Sequence, residues 1–207
     1  MKVITYNIRS WYRDTKAGPR NWKRRAADIK ALLTKEQPDV ILLQEALPPM
    51  TAKCIPDGYV KASGCSISHH IFIRKGFAEV EGKEWHIHWT RARLRLPDAT
   101  RWDVVSVHGH WDEGKTARLA DDLNALHGLG ADVLIAGDWN NIPADMRPHL
   151  FPTYLLYSAG TTFKNWETGK RAVLDYFAMD RPTQAEAFLV PNCSWSYSDH
   201  LPVMIEI

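Results

Sequence analysis

Apolar residues recur along this chain mostly in short runs of strand length. The run KVITYNI at residues 2–8 is rich in β-branched side chains and predicts a first strand. Residues 20–36 instead place apolar side chains three or four positions apart, at Trp22, Ala26, Ile29 and Leu33. This spacing predicts an amphipathic helix with a basic outer face that ends before Pro38. A second strand, DVILLQE, follows at residues 39–45.

Strands dominate the rest of the chain. Further apolar runs of strand length are SISHHIFIRK, RARLRL, WDVVSVHGHW, ADVLIAGDWN, RAVLDYFAM, QAEAFLV and LPVMIEI. The segment EWHIHWT at residues 84–90 alternates apolar and imidazole side chains with the period of a strand. A second helix is predicted over residues 115–130, because leucines recur on one helical face and glycines close the segment. Since helices occur singly between strands, we expect one α/β domain over residues 1–207 with two packed sheets.

The composition excludes several classes of protein. Apolar residues make up 45% of the chain and charged residues 24%, as in ordinary globular proteins. A net charge of +2 gives no globally basic surface, so contacts with a polyanion would depend on local clusters. The three cysteines are odd in number and lack metal-site spacing, which favours a reducing, cytoplasmic location. We expect neither a signal peptide nor a membrane span, because no apolar run approaches ~20 residues.

Polar side chains stand where five of the apolar runs begin or end: Asn7, Glu45, His108, Asp138 with Asn140, and Asp199 with His200. Each has a structural explanation when taken singly, such as a turn, a surface loop or a satisfied core histidine. If the strands alternate in direction, however, all these ends converge on one rim of a sandwich, where sites form in α/β proteins. The set therefore carries more weight than any of its members.

Hydrolysis of a phosphate ester needs such a set. A hard divalent cation prefers oxygen ligands, which suits Glu45 to Mg²⁺, and the cation offsets charge on the phosphoryl oxygens. An aspartate can take a proton from the attacking water, while an asparagine holds the geometry. An imidazolium can donate a hydrogen bond to a phosphate oxygen, and a second carboxylate behind it favours its charged form.

Six motifs occur in order over the whole chain: TYNI, DVILLQE, a strand ending in His108, IAGDWN, LDYFAM and SDHLPV. In this order and spacing they closely resemble the endonuclease/exonuclease/phosphatase superfamily, which has the DNase I-like fold. The resemblance implies a four-layer α/β/β/α sandwich of two mixed β-sheets packed face to face, with helices outside. It also implies a site at one edge of the sheets and dependence on Mg²⁺, with Mn²⁺ as a substitute.

The resemblance also implies roles for individual residues on the metal side. Glu45 would be the principal metal ligand, with Asn7 and Asp199 nearby on the metal or the phosphate. The usual GDFN of the family is GDWN here, with Trp139 in place of phenylalanine.

Five catalytic roles follow from the same resemblance. Asp138 would orient or deprotonate the attacking water with the help of Asn140. His200 would hold the scissile phosphate, and Asp175 of LDYF would pair with His200 from behind. His108 would contact the phosphate from the other side.

Basic and aromatic side chains near these motifs are candidates for substrate binding. The segment after Asn7 interleaves cations and aromatics, which suits stacked bases and a clamped backbone. Arg91, Arg93 and Arg95 share one face of a strand, where a solvated charged face is the alternative. The substrate-binding candidates are Arg9, Trp11, Arg74, His110, Lys164 and Arg171.

A monomeric nuclease that hydrolyses DNA or RNA is the first hypothesis for function. A phosphatase or phosphodiesterase for a small substrate, such as an inositol phosphate, a nucleotide or a lipid head group, is the second. A non-catalytic binding module with the same fold is a third, but binding alone would not require the whole set of polar residues. The sequence assigns no role to His69, His70, His86 or His88.

Overall fold

A computed structural model of the chain describes residues 1–10, 21–64 and 66–207. The described residues form fourteen strands: β1 (Lys2–Asn7), β2 (Val40–Gln44), β3 (Tyr59–Lys61), β4 (His70–Arg74), β5 (Glu79–Trp85), β6 (Trp89–Arg95), β7 (Arg101–His108), β8 (Asp132–Asp138), β9 (Leu155–Ser158), β10 (Phe163–Lys164), β11 (Arg171–Ala172), β12 (Asp175–Met179), β13 (Ala187–Leu189) and β14 (Val203–Glu206). They also form four helices: α1 (Trp22–Glu36), α2 (Met50–Cys54), α3 (Glu113–Asn124) and α4 (Pro143–Met146).

The strands build two mixed six-stranded sheets and one short hairpin. The first sheet has the order β13-β14-β1-β2-β4-β3, the second has the order β5-β6-β7-β8-β12-β9, and β10 pairs with β11. Only the neighbours β1 and β2 in the first sheet, and β7 and β8 in the second, run parallel among the described strands. Each parallel pair is connected through a helix, as parallel strands require.

Three apolar clusters produce the layers. One contains residues of both sheets, including Leu42 of β2 and Val104 of β7, and fills the space between them. A second packs Ile29 and Leu33 of α1 on the outer face of the first sheet. The third packs Leu119 and the other α3 leucines, with Met146 of α4, on the outer face of the second sheet. The predicted four-layer sandwich is therefore confirmed.

Helix α1 follows the sequence prediction except at one position. Asn21 caps its first turn by accepting a hydrogen bond from the backbone N–H of Arg24. The predicted basic outer face holds for Lys23 and Arg24, which are exposed, but not for Arg25. The buried guanidinium of Arg25 donates to the backbone carbonyls of Ile8, Arg9 and Tyr197. It thereby fastens the segment after β1 to the segment before β14.

Two other element predictions are corrected. The segment 84–90 is a hairpin rather than one strand: β5 ends at Trp85, residues 86–88 turn, and β6 begins at Trp89. A backbone hydrogen bond from His86 to Trp89 closes this turn. Helix α3 ends at Asn124, several residues before the glycines predicted to close it. From there to the glycines the backbone forms hydrogen-bonded turns instead of continuing the helix.

None of the helices in the described parts of the chain is long and apolar enough to cross a membrane.

Candidate active site

The polar strand ends meet at one edge of the sandwich. In the first sheet Asn7 is opposite Gln44, the residue before Glu45, and in the second sheet His108 is opposite Asp138. Because each of these strand pairs is parallel, both members end at the same edge. The Nδ2 of Asn7 donates to Oδ2 of Asp138 over 2.9 Å, which joins the two sheets directly.

Asp138 lies at the centre of the group and is buried. Its Oδ1 accepts a hydrogen bond of 3.0 Å from the backbone N–H of Asn140. Its Oδ2 accepts from Asn7 and lies 3.6 Å from Nε2 of both His108 and His200. Two N–H donors therefore fix the orientation of the Asp138 carboxyl group, and its Oδ2 faces two imidazoles.

Asp175 and His200 form a buried pair behind this carboxylate. Oδ2 of Asp175 lies 2.8 Å from Nδ1 of His200, while Thr162 Oγ1 accepts from the Asp175 backbone N–H. Burial opposes a charge on His200, but the carboxylates of Asp175 and Asp138 raise its pKa well above the ordinary value. The ring of Phe163 lies 5.0 Å from that of His200. The pair can therefore present a charged Nε2 in a fixed orientation.

Glu45 follows β2 in a left-handed conformation, with φ 52°. Asn7 Nδ2 lies 3.4 Å from its Oε1, and the backbone N–H of Ser10 donates to its Oε2 over 3.2 Å. Ser10 Oγ also donates to the Glu45 carbonyl. The end of β1 and the residues that follow it thus hold this carboxylate toward the cleft.

Asp199 is partly exposed and lies beside the guanidinium of Arg9. Arg9 Nη1 is 2.6 Å from Oδ2 of Asp199, and Arg9 is left-handed, with φ 51°. Ser198 donates to the carbonyl of Asn7 and accepts from the backbone N–H of His200. The segment that precedes β14 is therefore hydrogen-bonded to the end of β1.

An open cleft of about 490 Å³ gives access to this group. Its lining residues are Glu45, Ile87, His88, His108, Gly109, His110, Trp111, Asp138, Asn140, Phe163, Asn165, Asp199 and His200.

Two sets of side chains could hold a cation. Asp138, Asp175 and His200 bring ligand atoms within 4.8 Å of one another, but all three are buried. Their atoms already form a hydrogen bond and close charge contacts, and a cation there would face the imidazolium of His200. Glu45 and Asp199 instead offer carboxylate oxygens on the cleft surface, the donors that a hard divalent cation prefers. Oδ2 of Asp199 lies 2.6 Å from Nη1 of Arg9, so this set also faces a cation of the chain.

Of the residues predicted to bind substrate, some lie at or near the cleft and others do not. His110 lines the cleft. Lys164 and Arg171 are opposite each other on the hairpin of β10 and β11, and the backbone N–H of Lys164 donates to the carbonyl of Asp199. Arg9 lies beside Asp199, and Trp11 falls outside the described residues.

The prediction for Arg74 is wrong, because this residue lies at the other end of its strand from the cleft. It pairs with Asp39, which precedes β2, whereas Glu45 follows β2. Arg91 and Arg93 pair with the buried Asp103, and Arg95 pairs with Glu79 and Glu81 of β5. These arginines form an ion-paired face of the sheet, so they have a structural role of the kind expected for a charged face.

Several site residues gave no signal in the sequence. Thr162 supports Asp175 through backbone hydrogen bonds, and its position in a loop follows no period. Ile87 lines the cleft because EWHIHWT folds as a hairpin, which the alternation concealed. Ser198 could have been noticed, since a serine two residues before His200 suits a side-chain-to-backbone turn.

His69 and His70 are buried beside the site rather than in it. His70 Nε2 is 3.1 Å from the carbonyl of Ala46, and His69 Nε2 is 3.1 Å from that of His86. Burial lowers the pKa of each imidazole to about 4. Both are therefore neutral supports of the loops next to Glu45 and of the 86–88 turn.

The fold and the site together define a phosphoesterase of the DNase I-like class. Residues 4–200 match the model of the endonuclease/exonuclease/phosphatase family, and the chain belongs to this family. Its members hydrolyse phosphate esters and depend on divalent metal.

Solved structures agree on the fold. A humanised TDP2 of D. rerio carrying 14 mutations aligns at a TM-score of 0.78 and 15% identity, covering 99% of this chain and 97% of that one. A mannosyl-6-phosphatase of Bacteroides thetaiotaomicron aligns at 0.71 and 16%, covering 100% and 98%. A D. rerio TDP2 complexed with a single-strand DNA product aligns at 0.77 and 15%, covering 99% and 97%. No curated protein matches the sequence.

The two buried histidines predict acid sensitivity of the fold. Because their pKa is about 4 in the folded chain and about 6.5 when unfolded, stability is full above pH 6.5 and falls between pH 6.5 and 4. Over that window each imidazole removes about 1.4 kcal/mol of unfolding free energy per pH unit. In urea titrations, His69→Asn and His70→Asn should flatten the dependence on pH. Exposed His86→Asn is the control, and equal slopes in all variants would contradict the assignment.

Proposed function

We propose that this protein is a divalent-metal-dependent nuclease that hydrolyses phosphodiester bonds by attack of a water molecule. The observation that carries the proposal is the chain of contacts from Asp175 through His200 to Asp138, which opens on a cleft beside Glu45. A buried carboxylate, a charged imidazole and a second carboxylate in this order suit a site that binds an anion and activates water.

Glu45 and Asp199 would hold the cation, with Asn7 orienting Glu45 from the end of β1. A bound divalent cation would offset the negative charge that builds on the phosphoryl oxygens. Arg9 supports Asp199 at 2.6 Å and brings a fixed positive charge to the same side of the cleft. Both features favour the binding of a phosphate diester, whose oxygens carry negative charge at any physiological pH.

The opposite side of the cleft would perform proton transfer and charge stabilisation. Asp138 accepts the proton of the attacking water, and the backbone N–H and side chain of Asn140 keep its carboxylate in position. His200 donates a hydrogen bond from Nε2 to a phosphate oxygen, while Asp175 fixes its Nδ1 and its charge. His108, on the other side of Asp138, donates to the same phosphate.

A nucleic acid is favoured over a small substrate for two reasons. Lys164 and Arg171 place basic charge on one hairpin, and the backbone N–H of Lys164 donates to the carbonyl of Asp199, which lines the cleft. A similar fold binds a single-strand DNA product in TDP2. The similarity to a mannosyl-6-phosphatase keeps a small phosphate monoester as the second candidate.

We further propose that residues 1–207 act as one catalytic domain and as a monomer in a reducing, cytoplasmic compartment. The thiols of Cys54 and Cys193 are free, and burial raises the pKa of each to about 12, which keeps them protonated and unreactive.

Removal of divalent metal should abolish hydrolysis, and Glu45→Gln should raise the metal requirement. Loss of the carboxylate charge should increase the Mg²⁺ concentration for half-maximal activity at least about tenfold, as weakened metal sites do. The measurement is a Mg²⁺ titration after treatment with EDTA. Exposed Glu186→Gln is the matched control, and undiminished turnover in excess EDTA would rule out the metal mechanism.

Asp138→Ala and His200→Ala should each lower kcat by on the order of 10²-fold or more, because each removes a group that acts in the transition state. Asp57→Ala and His149→Ala change the same residue types outside the cleft and should keep normal kcat. Thermal unfolding verifies that all four variants are folded. Near-normal kcat in a folded Asp138→Ala or His200→Ala protein would refute that residue's role.

A panel of substrates tests the nuclease assignment. Single-stranded DNA, plasmid DNA, RNA, inositol phosphates and mannose 6-phosphate are incubated with the protein and Mg²⁺ under equal conditions. We expect cleavage of at least one nucleic acid at a higher kcat/KM than any small phosphate. Turnover confined to the small phosphates would replace the nuclease assignment with the second candidate.

A further inference from the structure

One wall of the cleft is apolar and aromatic although it faces solvent. Ile87 is 79% exposed and Trp111 is 72% exposed, and both line the cleft that contains Asp138 and His200. Large apolar side chains exposed in this way beside a polar site are typical of ligand contacts.

The wall is a built structure rather than two unrelated loops. Ile87 lies in the turn between β5 and β6, and Trp111 follows β7. The neighbours of these two residues, His88 and His110, pack edge to face with ring centres 4.5 Å apart. The backbone N–H of His108 donates to the carbonyl of His88, which fastens the turn to the end of β7.

His110 and Asp112, the neighbours of Trp111, are also held by hydrogen bonds to residues that follow in the chain. Asn141 Nδ2 donates to the carbonyl of His110, and Asp112 caps α3 by accepting from the backbone N–H of Lys115. The residues on both sides of Trp111 are therefore held by hydrogen bonds, which fixes where its indole leaves the backbone.

The wall exposes two large apolar side chains next to the phosphate-binding group. Among the described lining residues the carboxylates are Glu45, Asp138 and Asp199, all within the phosphate-binding group. Asn165, on the opposite side, uses its Oδ1 to accept from the backbone N–H groups of residues 167 and 168. A planar aromatic ring needs only a face on which to stack, and the exposed indole of Trp111 offers one.

We propose that Trp111 and Ile87 form a stacking site for a nucleobase of a single-stranded substrate, next to the scissile phosphate. The inference rests on the proposed phosphodiesterase function and adds the substrate class. Stacking uses the face that all bases share, so this subsite binds bases without sequence preference. His88 and His110 also line the cleft, and their rings pack edge to face within the wall.

Kinetics on two esters with the same leaving group test the proposal. Thymidine 5′-(4-nitrophenyl phosphate) carries a base, and methyl 4-nitrophenyl phosphate does not. We expect Trp111→Ala to raise KM for the thymidine ester about tenfold, in line with the loss of one stacked base, with kcat nearly unchanged. The methyl ester should be unaffected. Trp111→Phe keeps a ring and should stay near the original KM.

Trp85→Ala is the matched control, since Trp85 is 54% exposed but is not one of the lining residues. Equal effects of Trp111→Ala on both esters, or no effect on either, would overturn the proposal.

Binding without turnover separates this inference from the function on which it rests. Fluorescence anisotropy measures the affinity of labelled oligothymidylate in EDTA, where no hydrolysis is expected. Trp111→Ala should weaken binding about tenfold relative to Trp85→Ala. If the protein hydrolyses no phosphate but Trp111→Ala still weakens binding, the function fails and the stacking site stands. Unchanged oligothymidylate affinity, or competition by mannose 6-phosphate that also depends on Trp111, would overturn the site.

Discussion

The hydrogen bond between Asn7 and Asp138 is the contact on which the candidate site depends. It joins the ends of two strands that belong to different sheets, at the edge where the apolar core between the sheets gives way to polar residues. A neighbouring contact between Gln44 and Ser106 joins the sheets in the same way. The relative position of Glu45 and the two imidazoles therefore follows from how the sheets pack, and the precision of the site is inherited from the core.

Chemistry and recognition come from different parts of this architecture. The side chains assigned to the phosphate stand at the ends of strands or are hydrogen-bonded to them, where the backbone is rigid. The walls come from the 86–88 turn, the segment before α3 and the hairpin of β10 and β11. Such loops tolerate changes of length and sequence. Proteins that share the fold can therefore differ in substrate: one similar structure holds a single-strand DNA product, and another is a mannosyl-6-phosphatase.

The sequence predicted two packed sheets and the polar edge because both follow from short periods, whereas the four-layer arrangement followed from the resemblance to the family. Apolar runs mark buried strands, and Asn7, Glu45, His108 and Asp138 each end such a run. Partners that are distant in the sequence could not be predicted from local patterns. Asp175 reads as a polar interruption of a strand, and its role is explained only by the contact with His200 in the folded chain. Arg74 also follows an apolar run, but an antiparallel strand carries it to the opposite end of the sheet. The hairpin at 84–90 shows the remaining limit, because alternation alone does not reveal where a strand turns back.

Three residues at the site have a backbone conformation that side chains disfavour. Arg9, Glu45 and Asn140 all have φ between 51° and 53°, and for a residue with a Cβ this left-handed region costs roughly 1–2 kcal/mol. Glycine would relieve that cost at each position. The arginine and the glutamate at positions 9 and 45 bear that backbone cost and use their side chains to contact Asp199, Asn7 and the backbone of Ser10. The backbone shape that aims these groups at the cleft is therefore held by side-chain contacts of the site itself.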